Sequence, residues 1–232
     1  MRDRFQRKLN ELRDDILKMG SMVEDELKLA LKALEGLDIN LAGQVFEADR
    51  AVNAERFTIE EKCFELIVTQ QPAARDLRAI VAVMNMIVDL ERMGDQAKGI
   101  AKVIPHMAQH TSGSALPVEL RQMGDIVGDM LNQCMTAYIS GNIELAQQVA
   151  DRDDEVDGLY ARVFTQIVER MAETKKQKKI EANYEILRTG RELERFGDLA
   201  TNVAERVIYI MTGRLYEVNI DQKEATQEPA KG

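Results

Sequence analysis

The 232 residues, 45% of them hydrophobic, suffice for one large or two small packed domains. A formal charge of -9 argues against general nucleic-acid binding, which depends on neutralising phosphates, and disfavours an anionic membrane surface as a primary partner. Four Pro, no Trp and frequent Leu, Ala, Glu and Lys point to an all-α protein.

The N-terminus is charged from its second residue, with no apolar signal segment behind it. The longest apolar run, 79–88, is too short to span a bilayer and is interrupted by Asn85. A cytoplasmic protein without direct membrane insertion is therefore expected, its membrane contacts made through a partner. Cys63 and Cys134 match no metal or redox spacing and read as core thiols in a reducing cytosol.

Apolar side chains at Phe5, Leu9, Leu12, Ile16, Met19, Val23, Leu27, Ala30, Leu34 and Leu37 recur in steps of three and four. This predicts one amphipathic helix of about 50 Å, at 1.5 Å per residue. Asp38 is placed to cap a second helix with Leu41, Val45, Val52, Ile59, Cys63, Leu66 and Ile67 on its apolar side, ending at Gln70-Gln71-Pro72. A third helix is predicted from about Pro72 to Val103, with Ile80, Val83, Ile87, Leu90, Gly94, Ala97 and Ala101 as its core stripe. Pro105 and then Thr111-Ser112-Gly113-Ser114 interrupt the pattern and mark a boundary between halves.

The second half repeats the first. An offset of 104 carries Leu12, Ile16, Met19, Val23, Leu27 and Leu31 onto Leu116, Leu120, Met123, Val127, Leu131 and Met135. It also carries Leu41, Gln44, Val45, Asp49 and Val52 onto Leu145, Gln148, Val149, Asp153 and Val156, and one residue is lost before the third helix. The expected architecture is two tandem antiparallel three-helix bundles, 1–111 and 115–213, followed by a polar segment, 214–232, without apolar period and expected to be disordered.

Within the repeats lies a duplicated octapeptide. Leu90-Glu91-Arg92-Met93-Gly94-Asp95-Gln96-Ala97 and Leu193-Glu194-Arg195-Phe196-Gly197-Asp198-Leu199-Ala200 agree at six of eight positions, 103 residues apart. On a helix the Glu and the Asp four residues later share one face. The Gly between them costs about 1 kcal/mol relative to Ala, so a neighbouring helix or a bound ion is expected to need the bare backbone.

If the second and third helices fold back near Gln71, Asp49 and Asn53 lie at the height of Glu91 and Asp95. The equivalent turn near Lys175 brings Asp153 and Asp157 level with Glu194 and Asp198. Such acids repel one another unless cations neutralise them, and oxygen-only ligands suit Mg²⁺, Mn²⁺, Ca²⁺ or non-haem iron better than a structural zinc site built on Cys and His. Glu91 and Asp95 fall one step round from the core stripe, which places them at a solvent-open groove beside Lys98 and Lys102. With 40 acids in the chain, about seven i,i+4 acid pairs arise by chance, so the weight rests on the duplication and the height match. The competing reading is a solvated acidic face paired with Arg92 and Arg195.

Other features read more simply. His106 and His110 have chelating i,i+4 spacing but occur in one half only, beside a helix-breaking Pro. Lys175, Lys176, Lys178 and Lys179 read as a solvated inter-helix loop, with docking to an acidic partner as the alternative. Met84, Met86 and Met93 read as core.

At these residues the chain resembles the PhoU family of phosphate transport system accessory proteins, over residues 5–213. The resemblance is carried by the duplicated unit, by the four acidic pairs Asp49/Asn53, Glu91/Asp95, Asp153/Asp157 and Glu194/Asp198, and by Arg75-Asp76-Leu77-Arg78 at the start of the third helix. It implies a cytoplasmic, usually homodimeric regulator acting when phosphate is plentiful. Such a protein bridges the ATPase of the phosphate ABC transporter (PstB-like) and a sensor histidine kinase (PhoR-like), represses the Pho regulon and restrains uptake. It also implies multinuclear metal clusters on the eight acidic-pair positions, with iron, manganese, magnesium or zinc as candidates. Asn53 departs from the pattern, where an acid is typical, and that missing charge predicts a weaker first site.

Two other classes compete. A carboxylate di-iron enzyme would use a Glu-x-x-His motif on each of two helices, and neither His106 nor His110 lies three residues after a Glu. A helical interaction module without metal would use the acidic faces for docking. No nucleophile with an adjacent base and no Gly-rich phosphate loop is present, so no enzymatic activity is expected.

Overall fold

The computed structural model describes the backbone of residues 2–110 and 116–214 and the side chains of 4–109 and 116–214. Among these there are six helices and no strand: α1 (Arg2–Gly36), α2 (Ile39–Gln70), α3 (Ala74–His110), α4 (Val118–Ser140), α5 (Ile143–Ala172) and α6 (Gln177–Thr212). The boundary expected at 111–115, the side chain of His110 and the expected disordered segment beyond 214 lie outside the described residues.

The three- and four-residue steps read from the sequence are the buried stripe of α1, with Ile16, Met19, Val23 and Ala30 fully enclosed. Asp38 caps α2 as expected, its carboxylate accepting from the N–H groups of Asn40 (2.8 Å) and Leu41 (3.1 Å). Asn142 repeats the device at α5, accepting from the Leu145 N–H at 3.0 Å. The preceding positions match as well. Leu37 turns the chain in the left-handed region at φ 48°, and its counterpart 104 residues on, Gly141, does so at φ 65°.

Two expectations are corrected. Pro105 does not end the third helix; α3 runs through it to His110. The ring forfeits one backbone hydrogen bond at a cost of about 3 kcal/mol, but Val103, Ile104 and Met107 around it are fully buried, and their packing holds the helix together. Nor does α3 include Pro72. Gln71 closes α2 in the left-handed region, its N–H bonded to the Ile67 carbonyl, and Pro72 belongs to the connection.

The first unit packs α1, α2 and α3 together, the second α4, α5 and α6, and the most extensive helix contact in the molecule joins α3 to α6. Residues from all six helices form one continuous apolar core. The units meet about a pseudo-two-fold relation that is visible in single contacts of α1 and α4. A Cβ on Gly20 would stand 2.8 Å from Met135 Cε, and one on its counterpart Gly124 would stand 2.8 Å from Leu31 Cδ1, where Leu31 and Met135 are themselves counterparts. The two glycines let these helices cross closely. Cys63, Cys134, Met86 and Met93 are buried, as the sequence suggests.

Candidate functional site

Each repeat presents its acids along one hairpin, α2 with α3 and α5 with α6. In the first, Asp49 on α2 is only 5% exposed. Its Oδ2 accepts from Lys98 Nζ at 2.8 Å and from Asn53 Nδ2 at 3.2 Å. Lys98 also donates to Asp95 Oδ1 at 2.7 Å, so the ammonium bridges the two helices. Burial works against its charge, but the two carboxylates outweigh that and hold Lys98 above the ordinary lysine value. Glu91 completes the group. Burial raises its carboxyl, the charge on Asp95 adds to this, and Arg56 eases it.

The second hairpin has no lysine at the matching position. The position 103 residues after Lys98 is Thr201, a buried residue whose hydroxyl has no hydrogen-bond partner. Glu194 is raised by burial and then by the charges of Asp198 and Asp157, with Arg191 and Arg195 opposing. Burial and Asp157 likewise raise Asp198. Asp153 is 6% exposed and stands against Gly197, its Oδ1 3.2 Å from where a Cβ would be. Of the eight positions read from the sequence, Asp49, Asn53, Glu91 and Asp95 neighbour one another on the first hairpin, and Asp157, Glu194 and Asp198 interact on the second, with Asp153 against Gly197. The inner Asp49 and Asp153 are buried, Glu91 and Glu194 are half-buried, and Asp95, Asp157 and Asp198 are exposed.

The bare backbone in each octapeptide accommodates a carboxylate and not a helix backbone. At Gly94 the nearest atom to an added Cβ is Glu26 Oε2, at 2.9 Å. Sequence reasoning missed Glu26, which sits among apolar neighbours in the α1 stripe. It is 0% exposed, and neither carboxyl oxygen has a hydrogen-bond partner. Burial, followed by the charge on Asp49, pushes its carboxyl up to about 9. The signal available was the repeat itself, since the offset of 104 pairs Glu26 with Met130, a charged residue with an apolar one.

In kind, the donors suit a hard cation: all are carboxyl or amide oxygens, and Glu194 Oε2 is buried without a partner. As the side chains stand, no three Asp, Glu, His or Cys residues among those described converge as a ligand set. An ion binding Asp49 and Asp95 must displace Lys98. His106 takes no part; it lines a separate cavity of about 360 Å³ with Met171, Ile180 and Tyr184. Lys175 and Lys176 lie in the exposed connection before α6, and Lys178 and Lys179 in its exposed first turn.

This is an all-α protein of two related three-helix units, each with one acidic hairpin. Its sequence matches the PhoU domain twice, at residues 16–104 and 120–207, and the chain belongs to the PhoU family. It is 37% identical over 216 residues to the phosphate-specific transport system accessory protein PhoU homolog of Clostridium acetobutylicum, covering 93% of this chain and 97% of that one. The Pseudomonas aeruginosa homolog is 34% identical over 209 residues, covering 90% and 86%. Crystal structures of relatives share the fold. The phosphate transport system regulatory protein PhoU from Streptococcus pneumoniae superposes with a TM-score of 0.84 at 30% identity, covering 92% of this chain and 99% of that one. PhoU from P. aeruginosa gives 0.85 at 34%, covering 90% and 100%. These relatives are described as accessory and regulatory proteins, and the family is not one of enzymes.

Proposed function

We propose that this chain is a cytoplasmic regulator of phosphate transport that represses the phosphate-starvation response when phosphate is plentiful. The observation that carries the reading is the family match across both repeats, with relatives named as accessory proteins of the phosphate-specific transport system. It acts by contact, joining the transporter ATPase to a sensor histidine kinase, and works as a homodimer. Exposed Phe57, Phe64 and Val68 on α2 and Phe164 and Val168 on α5 supply apolar surface for such contacts. No helix of the described residues is long and apolar enough to cross a membrane, in keeping with contact through partners.

The test is deletion of the gene in its own host, with starvation-promoter activity and phosphate uptake measured in phosphate-rich medium. Promoter activity should rise and return to baseline when the gene is restored. An unchanged promoter and unchanged uptake would overturn the reading.

The acidic hairpins bind metal ions in this reading, through Asp49, Asn53, Glu91 and Asp95 and through Asp153, Asp157, Glu194 and Asp198. Support comes from the mutual repulsion of Asp157, Glu194 and Asp198 and from the unpartnered Glu194 oxygen. A bound cation would neutralise these groups and tie α5 to α6. The second hairpin is the tighter site, because it has Asp157 where the first has the neutral Asn53. Metal content by mass spectrometry should fall on Glu91→Ala/Asp95→Ala/Glu194→Ala/Asp198→Ala, and equal, near-zero metal in both proteins after incubation with iron and Mn²⁺ would leave the hairpins as docking faces.

A further inference from the structure

A buried carboxyl with no hydrogen-bond partner is costly, and a folded protein retains one only where something compensates. Glu26 is such a group: fully enclosed, both oxygens unpartnered, projecting from α1 at the Gly94 backbone within the first octapeptide. Its charged neighbours are Asp49, Asp95 and Lys98, all members of the first acidic hairpin.

Comparison of the repeats shows what is distinctive here. Met130 occupies the matching place on α4, its Cε 3.8 Å from a Cβ built on Gly197, so both side chains meet the equivalent glycine. Where the second repeat has Met130 with Asp157, the first has Glu26 with Asn53. The hairpin that lacks an acid on the outer edge of α2 has one on the inner side instead, from α1.

We infer that Glu26 is a metal-facing carboxylate of the first hairpin, reaching Asp49 through the gap that Gly94 leaves open and restoring the fourth acid that Asn53 withholds. The first site is then built by three helices and the second by two. A metal ion there couples α1 to the hairpin, which the second site cannot do because Met130 is no ligand. A hard divalent cation suits this set, since every donor is oxygen. The inference rests on the metal-binding reading of the hairpins.

The test uses the full chain with Mn²⁺ as the probe. A background variant, Asp153→Asn/Glu194→Gln/Asp198→Asn, disables the second site; Glu26→Met, the second repeat's own residue, and separately Glu26→Gln, are added to it. Mn²⁺ affinity is read by calorimetry and the Mn²⁺-induced rise in melting temperature by circular dichroism. The background should bind Mn²⁺, and either substitution at Glu26 should weaken that binding about tenfold or more, shrinking the melting shift, while the metal-free variants remain folded. Affinity unchanged within about twofold in both variants would overturn the inference and leave the metal reading standing, as would a background that binds nothing while wild type binds. Wild type that binds no Mn²⁺ at either hairpin would sink both. Glu26→Gln preserves the volume, so a folding defect confined to Glu26→Met does not obscure the result.

Discussion

Glu26 makes metal-free stability depend on pH in a way that one substitution should remove. Its carboxyl stands at about 9 in the fold against an ordinary value of 4.5, with burial the larger cause and the charge on Asp49 the next. An acid whose folded pKa is raised keeps its proton in the native state over a window where the unfolded chain has already released it. The group therefore leaves stability untouched below about pH 4.5, lowers it steadily as pH rises through the window, and has its full effect above about pH 9. The limiting slope is about 1.4 kcal/mol per pH unit, so from about pH 6 to about pH 8 wild type loses up to about 3 kcal/mol through this residue. Glu26→Gln keeps the shape and cannot titrate. Urea unfolding of both proteins after chelator treatment, at those two pH values, should show the variant gaining on wild type as pH rises. Parallel pH dependences would refute the reasoning, because they would mean that Glu26 titrates in the fold as it does in the unfolded chain.

Gly43→Ala and Gly158→Ala should each stabilise the protein by about 1 kcal/mol, raising the melting temperature by about 2 to 4 °C, because both glycines lie within helices and an added Cβ meets nothing within 4 Å. Asp38→Ala should cost about 1 kcal/mol in urea unfolding through loss of two accepted N–H bonds at the start of α2. Cys63 and Cys134 should ignore a water-soluble disulfide reagent until the chain unfolds, since both are buried and burial pushes the Cys63 thiol up to about 12. Lys98→Met should strengthen Mn²⁺ binding at the first hairpin in calorimetry, because it removes the cation that now holds Asp49 and Asp95; unchanged or weaker binding would count against competition by that lysine.

The helices and their pairing were legible because the signal is long and repeated. The α1 stripe spans some thirty residues in steps of three and four, and the same steps return in α4, so a local accident in one copy is checked by the other. Pro105 misled because the propensity of one residue was weighed without the packing of Val103, Ile104 and Met107 around it. The height match between α2 and α3 correctly placed Asp49 near Glu91 and Asp95, since reflection about a tight turn depends only on helical rise. It could not reveal Glu26, because reflection about the turn between α2 and α3 says nothing of α1. Nor could it reveal that Lys98 turns inward to bridge two acids, a choice of side-chain direction made in the fold.

Three matched pairs, Glu26 with Met130, Asn53 with Asp157 and Lys98 with Thr201, distinguish hairpins whose backbones are otherwise alike. The first carries Lys98 between Asp49 and Asp95, with the buried, unpartnered carboxyl of Glu26 behind them. The second holds Asp157, Glu194 and Asp198 in mutual repulsion and sets a neutral Thr201 where the lysine would be. Repulsion of this kind is relieved by protonation, by a bound cation or by the basic surface of another protein. Because α3 and α6 make the largest helix contact in the molecule, a change in charge at either hairpin is applied to a helix shared with the interface between units. The duplication therefore sets two acidic hairpins of different charge make-up on one continuous apolar core.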